Sequence, residues 1–138
     1  MDWTWTYNKT FSSQVELGVE LIRTLISHLE SKQWPPKDVF GIHMAMEEAV
    51  MNAIKHGNQR DPSKDIHVVL KTCDDKLLFV KVTDEGDGFD PNAVLDCTAD
   101  ENLEKICGRG LMLMKSYMDS VEYNSKGNSV EMTKARPS

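Results

Sequence analysis

Apolar residues change their spacing repeatedly along this chain, and each change marks an element. From Trp3 to Lys9 aromatic and polar residues alternate (Trp3, Trp5 and Tyr7 against Thr4, Thr6 and Asn8), which is the period of a half-buried strand. These aromatics read as core or dimer contacts rather than a ligand cage. Ser12 or Ser13 then stands where a helix cap would stand, with Glu16 in the first turn. Val15, Leu17, Val19, Leu21, Ile22, Leu25, Ile26 and Leu29 follow at amphipathic spacing and predict a helix ending near Ser31. Trp34-Pro35-Pro36 is a break, because proline lacks an amide donor and restricts the residue before it, and Pro36-Lys37-Asp38 can open a second helix.

That second helix carries Ala45, Ala49 and Ile54 with Met46, Val50 and Ala53 at helical spacing, and Gly57 stops it near His56. The polar run of 58–65 reads as a loop. Residues 66–72 and 76–83 predict two strands joined at Cys73-Asp74-Asp75, a hairpin. The chain turns acidic and glycine-rich over 84–88. Between 91 and 107 the periodicity is weak and the stretch is long for a connection, as lids and disordered loops are. Gly108-Arg109-Gly110 opens a third helix with Leu111, Met112, Met114 and Met118 on its apolar side. Val121-Glu122-Tyr123 and 129–133 form a last hairpin around Ser125-Lys126-Gly127-Asn128. Helices and hairpins in this order predict an α+β fold, a two-layer α/β sandwich with a mixed, mainly antiparallel sheet and three helices on one face. The other face is then solvated or covered by a partner.

Length and composition narrow this further. At 138 residues the chain is a single domain, 1–138, with one core. Hydrophobic and charged fractions of 40% and 28% suit a globular protein, no apolar run reaches the length of a membrane span, and Met1-Asp2-Trp3-Thr4-Trp5 is no signal peptide. A cytoplasmic location is expected. Cys73, Cys97 and Cys107 cannot all pair within the chain and match no metal-binding spacing, so they read as reduced thiols. A net charge of −6 without a basic stripe argues against direct nucleic-acid binding and towards a protein partner or small ligand.

Three stretches carry candidate chemistry. Glu48, Asn52 and His56 follow at steps of four, which stacks a carboxylate, an amide and an imidazole on one face of the second helix among small and apolar neighbours. Taken alone they are equally a row of surface polar groups. Asp84-Glu85-Gly86-Asp87-Gly88-Phe89 ends a strand, where glycines let backbone approach a flat ligand and the Asp84 carboxylate can accept from an exocyclic amine. By itself this is an ordinary acidic turn. Gly108-Arg109-Gly110 offers amide donors and the positive end of a helix dipole to a phosphate, and by itself is a plain loop-to-helix junction.

In this order the three stretches resemble the N, G1 and G2 boxes of the GHKL ATPase superfamily, the Bergerat fold. Within it Glu48-x-x-x-Asn52-Ala53-x-x-His56-Gly57, Asp84-x-Gly86-x-Gly88-Phe89 and Gly108-Arg109-Gly110-Leu111 are most similar to the small anti-sigma regulatory factors, the serine-protein kinases of bacterial partner switching. The resemblance runs from the first strand to Lys134. It implies ATP and Mg²⁺ as cofactors, with Asn52 as a metal ligand through its amide oxygen and Glu48 as the general base for the attacking hydroxyl. Glu47 competes for that role, but the four-residue step to Asn52 favours Glu48. Asp84 would read the adenine amino group, Gly86 and Gly88 would line base and ribose, and Gly108, Arg109 and Gly110 would hold phosphates. His56 flanks the site or is a satisfied core histidine, while Lys55, Lys105 and Arg109 are cations within possible reach of phosphate or plain surface charges.

Two features depart from the family pattern. Gly127-Asn128-Ser129 stands where a Gly-Thr pair is usual, and the stretch of 91–107 has few basic residues to clamp a phosphate. The resemblance implies an ATP-dependent serine/threonine kinase that phosphorylates an anti-anti-sigma (STAS) partner, alternately binds a sigma factor, and forms a homodimer. The alternative is a nucleotide-gated protein-binding module without productive kinase activity. A histidine-kinase catalytic domain would need a phosphoacceptor helical hairpin that this sequence does not contain.

Overall fold

The computed structural model of the chain describes residues 3–73, 75–86 and 109–137. In β2 (Asp65–Cys73) and β3 (Leu77–Thr83) burial alternates strictly. Ile66, Val68, Leu70 and Thr72 of the first and Leu78, Val80 and Val82 of the second turn to one face, as the pleat requires of a strand covered on one side only. Helices α1 (Val15–Ser31) and α2 (Pro36–Asn52) bring their apolar stripes to that face. Leu25, Leu29, Ile42, Met46 and Val50 become fully buried there, each contributing about 1.5–3 kcal/mol by leaving water. Helix α3 (Arg109–Tyr117) packs on α2, and Phe40 meets Tyr117 edge to face at 6.1 Å.

The sheet runs β1 (Trp5–Ser12), β2, β3, β5 (Ser129–Ala135), β4 (Ser120–Tyr123). All four pairings are antiparallel, with registers such as Phe11↔Ile66, Val68↔Val82, Val80↔Met132 and Val121↔Met132. The sheet, expected to be mixed and mainly antiparallel, is antiparallel in every pairing among the described residues. The last hairpin folds back so that β5 is inserted beside β3; β4 runs parallel to β3 but never touches it.

Other expectations shift in detail. The first strand extends to Ser12, paired with Asp65, so neither Ser12 nor Ser13 caps α1; Gln14 holds that position without a side-chain capping bond. The Ser12 hydroxyl donates instead to the Pro62 carbonyl (2.7 Å) and that of Ser13 to the Lys64 carbonyl (2.8 Å). Of the apolar positions expected for α3, Met114 is buried, as is Met118 just past its end, whereas Met112 is 69% exposed, because two residues turn a helix by more than half a circle. The glycines Gly88 and Gly108, the cation Lys105, Cys97, Cys107 and the stretch of 91–107 lie outside the described residues.

Candidate functional site

Helix α2 does not end as a regular helix. After Asn52 the chain widens into a π turn, Ala53–Gly57; the Asn58 amide reaches back five residues to the Ala53 carbonyl (2.8 Å), and just beyond it that of Arg60 reaches back six to Ile54 (2.8 Å). Single π turns inside or at the end of α-helices recur at functional sites because the extra residue re-aims the side chains around it. Here Asn52, Ala53, His56 and Gly57 line a cleft together with Ala49 from the preceding turn. The opposite wall is made by Val82 and Asp84 at the end of β3, and by Tyr123, Gly127, Asn128 and Val130 of the last hairpin. Counting its open mouth the cleft encloses about 470 Å³.

Asp84 sits in this wall only 8% exposed. Its Oδ1 accepts from the Gly86 amide at 2.8 Å. Burial pushes its pKa above the ordinary carboxylate value, against the pull of the Gly86 bond and of the Lys126 and Lys64 charges. Two glycines make its position possible. A Cβ at Gly57 would overlap the Asp84 carboxylate, and one at Gly86 would overlap the Gly57 carbonyl oxygen. The two backbones are therefore in contact, which only glycine at both positions permits.

Asn52 supplies the other polar group. Its Nδ2 is buried and has no hydrogen-bond partner among the described residues, an arrangement that costs about 1–3 kcal/mol unless something fills the vacancy. An amide turned by half a circle presents oxygen in place of nitrogen, so this group suits a hard cation as well as a ligand acceptor. Among the described residues no group of three His, Cys, Asp or Glu side chains is placed to hold a metal unaided. A divalent cation at Asn52 could share its coordination with an anionic ligand, as Mg²⁺ does with substrate phosphates. These residues fit a nucleotide with its cation.

The remaining candidates are distributed around this centre. Glu48, one turn before Asn52, is half-buried and not among the lining residues, yet its charge acts on Tyr123. Glu47 is exposed and faces His43 at 3.7 Å. Lys55 is exposed; Arg109 begins α3 and Gly110 is buried in its first turn. Ser129 turns its hydroxyl to Thr83 (2.8 Å) on the uncovered side of the sheet, away from the cleft.

Two contributors had no signature in the sequence, and a third was marked only by the departure at Gly127-Asn128-Ser129. Tyr123 looks like any strand aromatic; in the cleft wall its hydroxyl pKa is pushed up to about 12, by burial first and then by the charges of Asp84 and Glu48, so it stays a protonated phenol. Asn58 looks like the first residue of a polar loop. It is fully buried, donating from Nδ2 to the Ser13 hydroxyl (2.6 Å) and the Asp65 carbonyl (2.9 Å) and accepting at Oδ1 from the Glu85 amide (2.7 Å). It ties the end of the π turn to both β2 and the Asp84 turn. Asn128, third, belongs to a turn whose reach across the cleft shows only in the folded chain.

Comparison with known proteins agrees with this architecture. Residues 11–134 match the histidine kinase-like ATPase domain family. The serine-protein kinase RsbW of Staphylococcus aureus is 32% identical over 125 residues, which cover 84% of this chain and 78% of that protein. The anti-sigma F factor of Heyndrickxia coagulans is 33% identical over 95 residues, 67% of this chain and 64% of its own length, so the match spans just under two thirds of that relative. A crystal structure of the RsbU and RsbW domains of Rv1364c from Mycobacterium tuberculosis has the same fold, with a TM-score of 0.62 at 17% identity over 96% of this chain and 32% of that one.

Proposed function

The chain belongs to the histidine kinase-like ATPase domain family, and from that premise we propose that it is an anti-sigma factor with ATP-dependent serine/threonine kinase activity. It phosphorylates an anti-anti-sigma (STAS) partner and alternately binds a sigma factor, acting in the cytoplasm as a homodimer. The observation that carries the reading is the cleft itself: a buried acidic acceptor at Asp84, two backbones in glycine contact beside it, and an amide at Asn52 with an unfilled bonding position.

ATP with Mg²⁺ supplies the transferable phosphoryl group and the neutralising charge, and catalysis of such transfers rests mainly on positioning and electrostatics. Asp84 accepts a hydrogen bond from the exocyclic amine of the base. Gly57 and Gly86 keep the wall flat enough for a ring to lie against it, and Gly88 serves base and ribose as the motif implies. Asn52 turns its amide oxygen to the cation. Backbone donors at Arg109 and Gly110, at the start of α3, hold phosphate oxygens, and Gly108 joins them as the motif implies. Glu48 accepts the proton of the partner's serine or threonine hydroxyl.

Calorimetric titration with ATP, with and without Mg²⁺, tests the reading. Metal-dependent binding in the wild type that is lost in Asp84→Asn is expected; no binding in the wild type removes the proposal. The position of Glu48 outside the cleft lining favours one rival, a nucleotide-gated module that captures a partner without transferring phosphate. Partner phosphorylation that persists in Glu48→Ala would take the base role from this residue, and a wild type that binds ATP and partner but transfers nothing would establish the rival.

A further inference from the structure

Asp84 stands just beyond β3, where the sheet no longer fixes the chain, and a buried acceptor is selective only if it is aimed. Its main chain is held by one residue of the last hairpin. The Asp84 amide donates to the Asn128 carbonyl at 2.9 Å, and the Asp84 carbonyl accepts from Asn128 Nδ2 at 3.2 Å. Asn128 is oriented in turn by Asn124, whose Nδ2 donates to Asn128 Oδ1 at 2.7 Å. Asn124 is itself immobilised. Its Oδ1 accepts from the amides of Gly127 (2.8 Å), Asn128 (3.0 Å) and Ser129 (3.2 Å), and its own amide donates to the Ser129 carbonyl at 2.9 Å.

An asparagine whose oxygen collects turn amides is common hairpin chemistry. The second asparagine goes beyond it, because its amide leaves the turn and closes on the residue that reads the ligand. We infer that the Asn124–Asn128 amide pair is a positioning device for Asp84 and sets the preference of the cleft for a base that carries an exocyclic amine. The inference rests on the nucleotide reading above. Asn128 and Asn124 act through Asp84: the pair fixes where the carboxylate points, and the carboxylate discriminates.

The test compares ATP with inosine triphosphate, in which a carbonyl oxygen replaces the exocyclic amine, by calorimetry on the full chain. Asn128→Ala removes the bond to the Asp84 carbonyl. Asn124→Asp keeps an oxygen to accept the three turn amides but sets a second oxygen against Asn128 Oδ1, so it separates the amide pair from the folding of the turn. Both variants are expected to lose about five- to tenfold of the preference for ATP, with thermal midpoints within a few degrees of the wild type. A turn that merely stabilises the fold would lower both affinities together and leave their ratio unchanged, and that result overturns the inference. Should Asn128→Ala fail to fold, Asn124→Asp carries the same comparison. A wild type that prefers ATP, with variants that prefer it equally, removes this inference alone; a wild type that binds neither nucleotide removes the functional reading as well.

Discussion

Where β3 stops, polar groups face an open cleft; where it starts, they are sealed under aromatic rings. At the sealed end Trp5 stacks on His28 with centroids 3.8 Å apart, and the Arg136 guanidinium lies 5.8 Å from the Trp34 ring while donating to the carbonyls of Lys32 (2.9 Å) and Gln33 (2.8 Å). Beneath these groups His28 Nε2, Trp34 Nε1 and Thr72 Oγ1 are buried without a partner among the described residues. The cleft end has a single such atom, Asn52 Nδ2. The number of unsatisfied atoms therefore points to the wrong end. What separates the two is access: at the cleft, glycine backbones and a wide turn leave room beside the amide, whereas stacked rings occupy that room at the other end.

Filling the room should break the contrast most completely. In Gly86→Ala the new Cβ meets the Gly57 carbonyl, a backbone atom that cannot swing aside. ATP binding is expected to fall below detection by calorimetry, with about 1–3 kcal/mol of stability lost to overpacking. Next in size is Glu48→Gln, which leaves the cleft wall intact. Its partner-phosphorylation rate should drop about 10²- to 10⁴-fold while ATP affinity stays within twofold; a phosphotransfer time course that matches the wild type would remove Glu48 from catalysis.

The sealed end should respond in the opposite sense. Trp5→Ala uncovers His28 and should cost about 2 kcal/mol in a denaturant melt, less than the roughly 3–5 kcal/mol for a fully buried tryptophan because Trp5 is half-exposed. ATP affinity should not change. A loss of affinity would show that the two ends are coupled.

The smallest effect is one of pH. Burial lowers the His28 pKa, partly offset by the Asp75 charge in the β2–β3 turn and reinforced by Lys32; its ring also faces the uncharged Trp5. The folded state then binds fewer protons than the unfolded chain below the ordinary histidine value of about 6.5. Stability contributed by neutral His28 is thus present above that pH and declines as pH falls through it. Thermal midpoints measured between pH 7.5 and 5.5 should fall more steeply for the wild type than for His28→Gln. Equal slopes would assign the pH dependence to other groups.

Sequence reading was strongest where a period repeats. Both long helices were legible because apolar stripes run for four turns and Pro35-Pro36 punctuates them, although the regular part of the second ends at Asn52 and not near His56; the β2–β3 hairpin follows from two apolar, β-branched runs around a short polar turn. It was weakest where one residue decides. The π turn adds a single residue to a helix end, too little to alter a period. The side chains of Ser12 and Ser13 had two outlets, a cap or the loop of 62–64, and only the length of β1 decides between them. At the site Asn52 and Asp84 were legible because motif spacing brings them forward, and they do line one cleft. Tyr123 and Asn58 were not, and Asn128 stood out only as part of the Gly127-Asn128-Ser129 departure, without its contact to Asp84. Each matters through a contact with a distant stretch, and nothing in its own neighbourhood records that contact.

The pairing of β3 has a consequence in time. On one side β3 meets β2 across a short turn; on the other it meets β5, whose nearest pair to the cleft is Thr83↔Ser129, with α3 and β4 made in between. Local hairpins close in about 1–10 μs, whereas distant pairings first require the closure of a long loop. The cleft needs the last hairpin as one of its walls, so it should be among the last parts of the molecule to exist. Pulse-labelled amide exchange during refolding is expected to protect Val68 and Val80 before Val130. The nascent chain would then carry its two long helices and first hairpin while still unable to hold a ligand, and binding competence would arrive with the final strand.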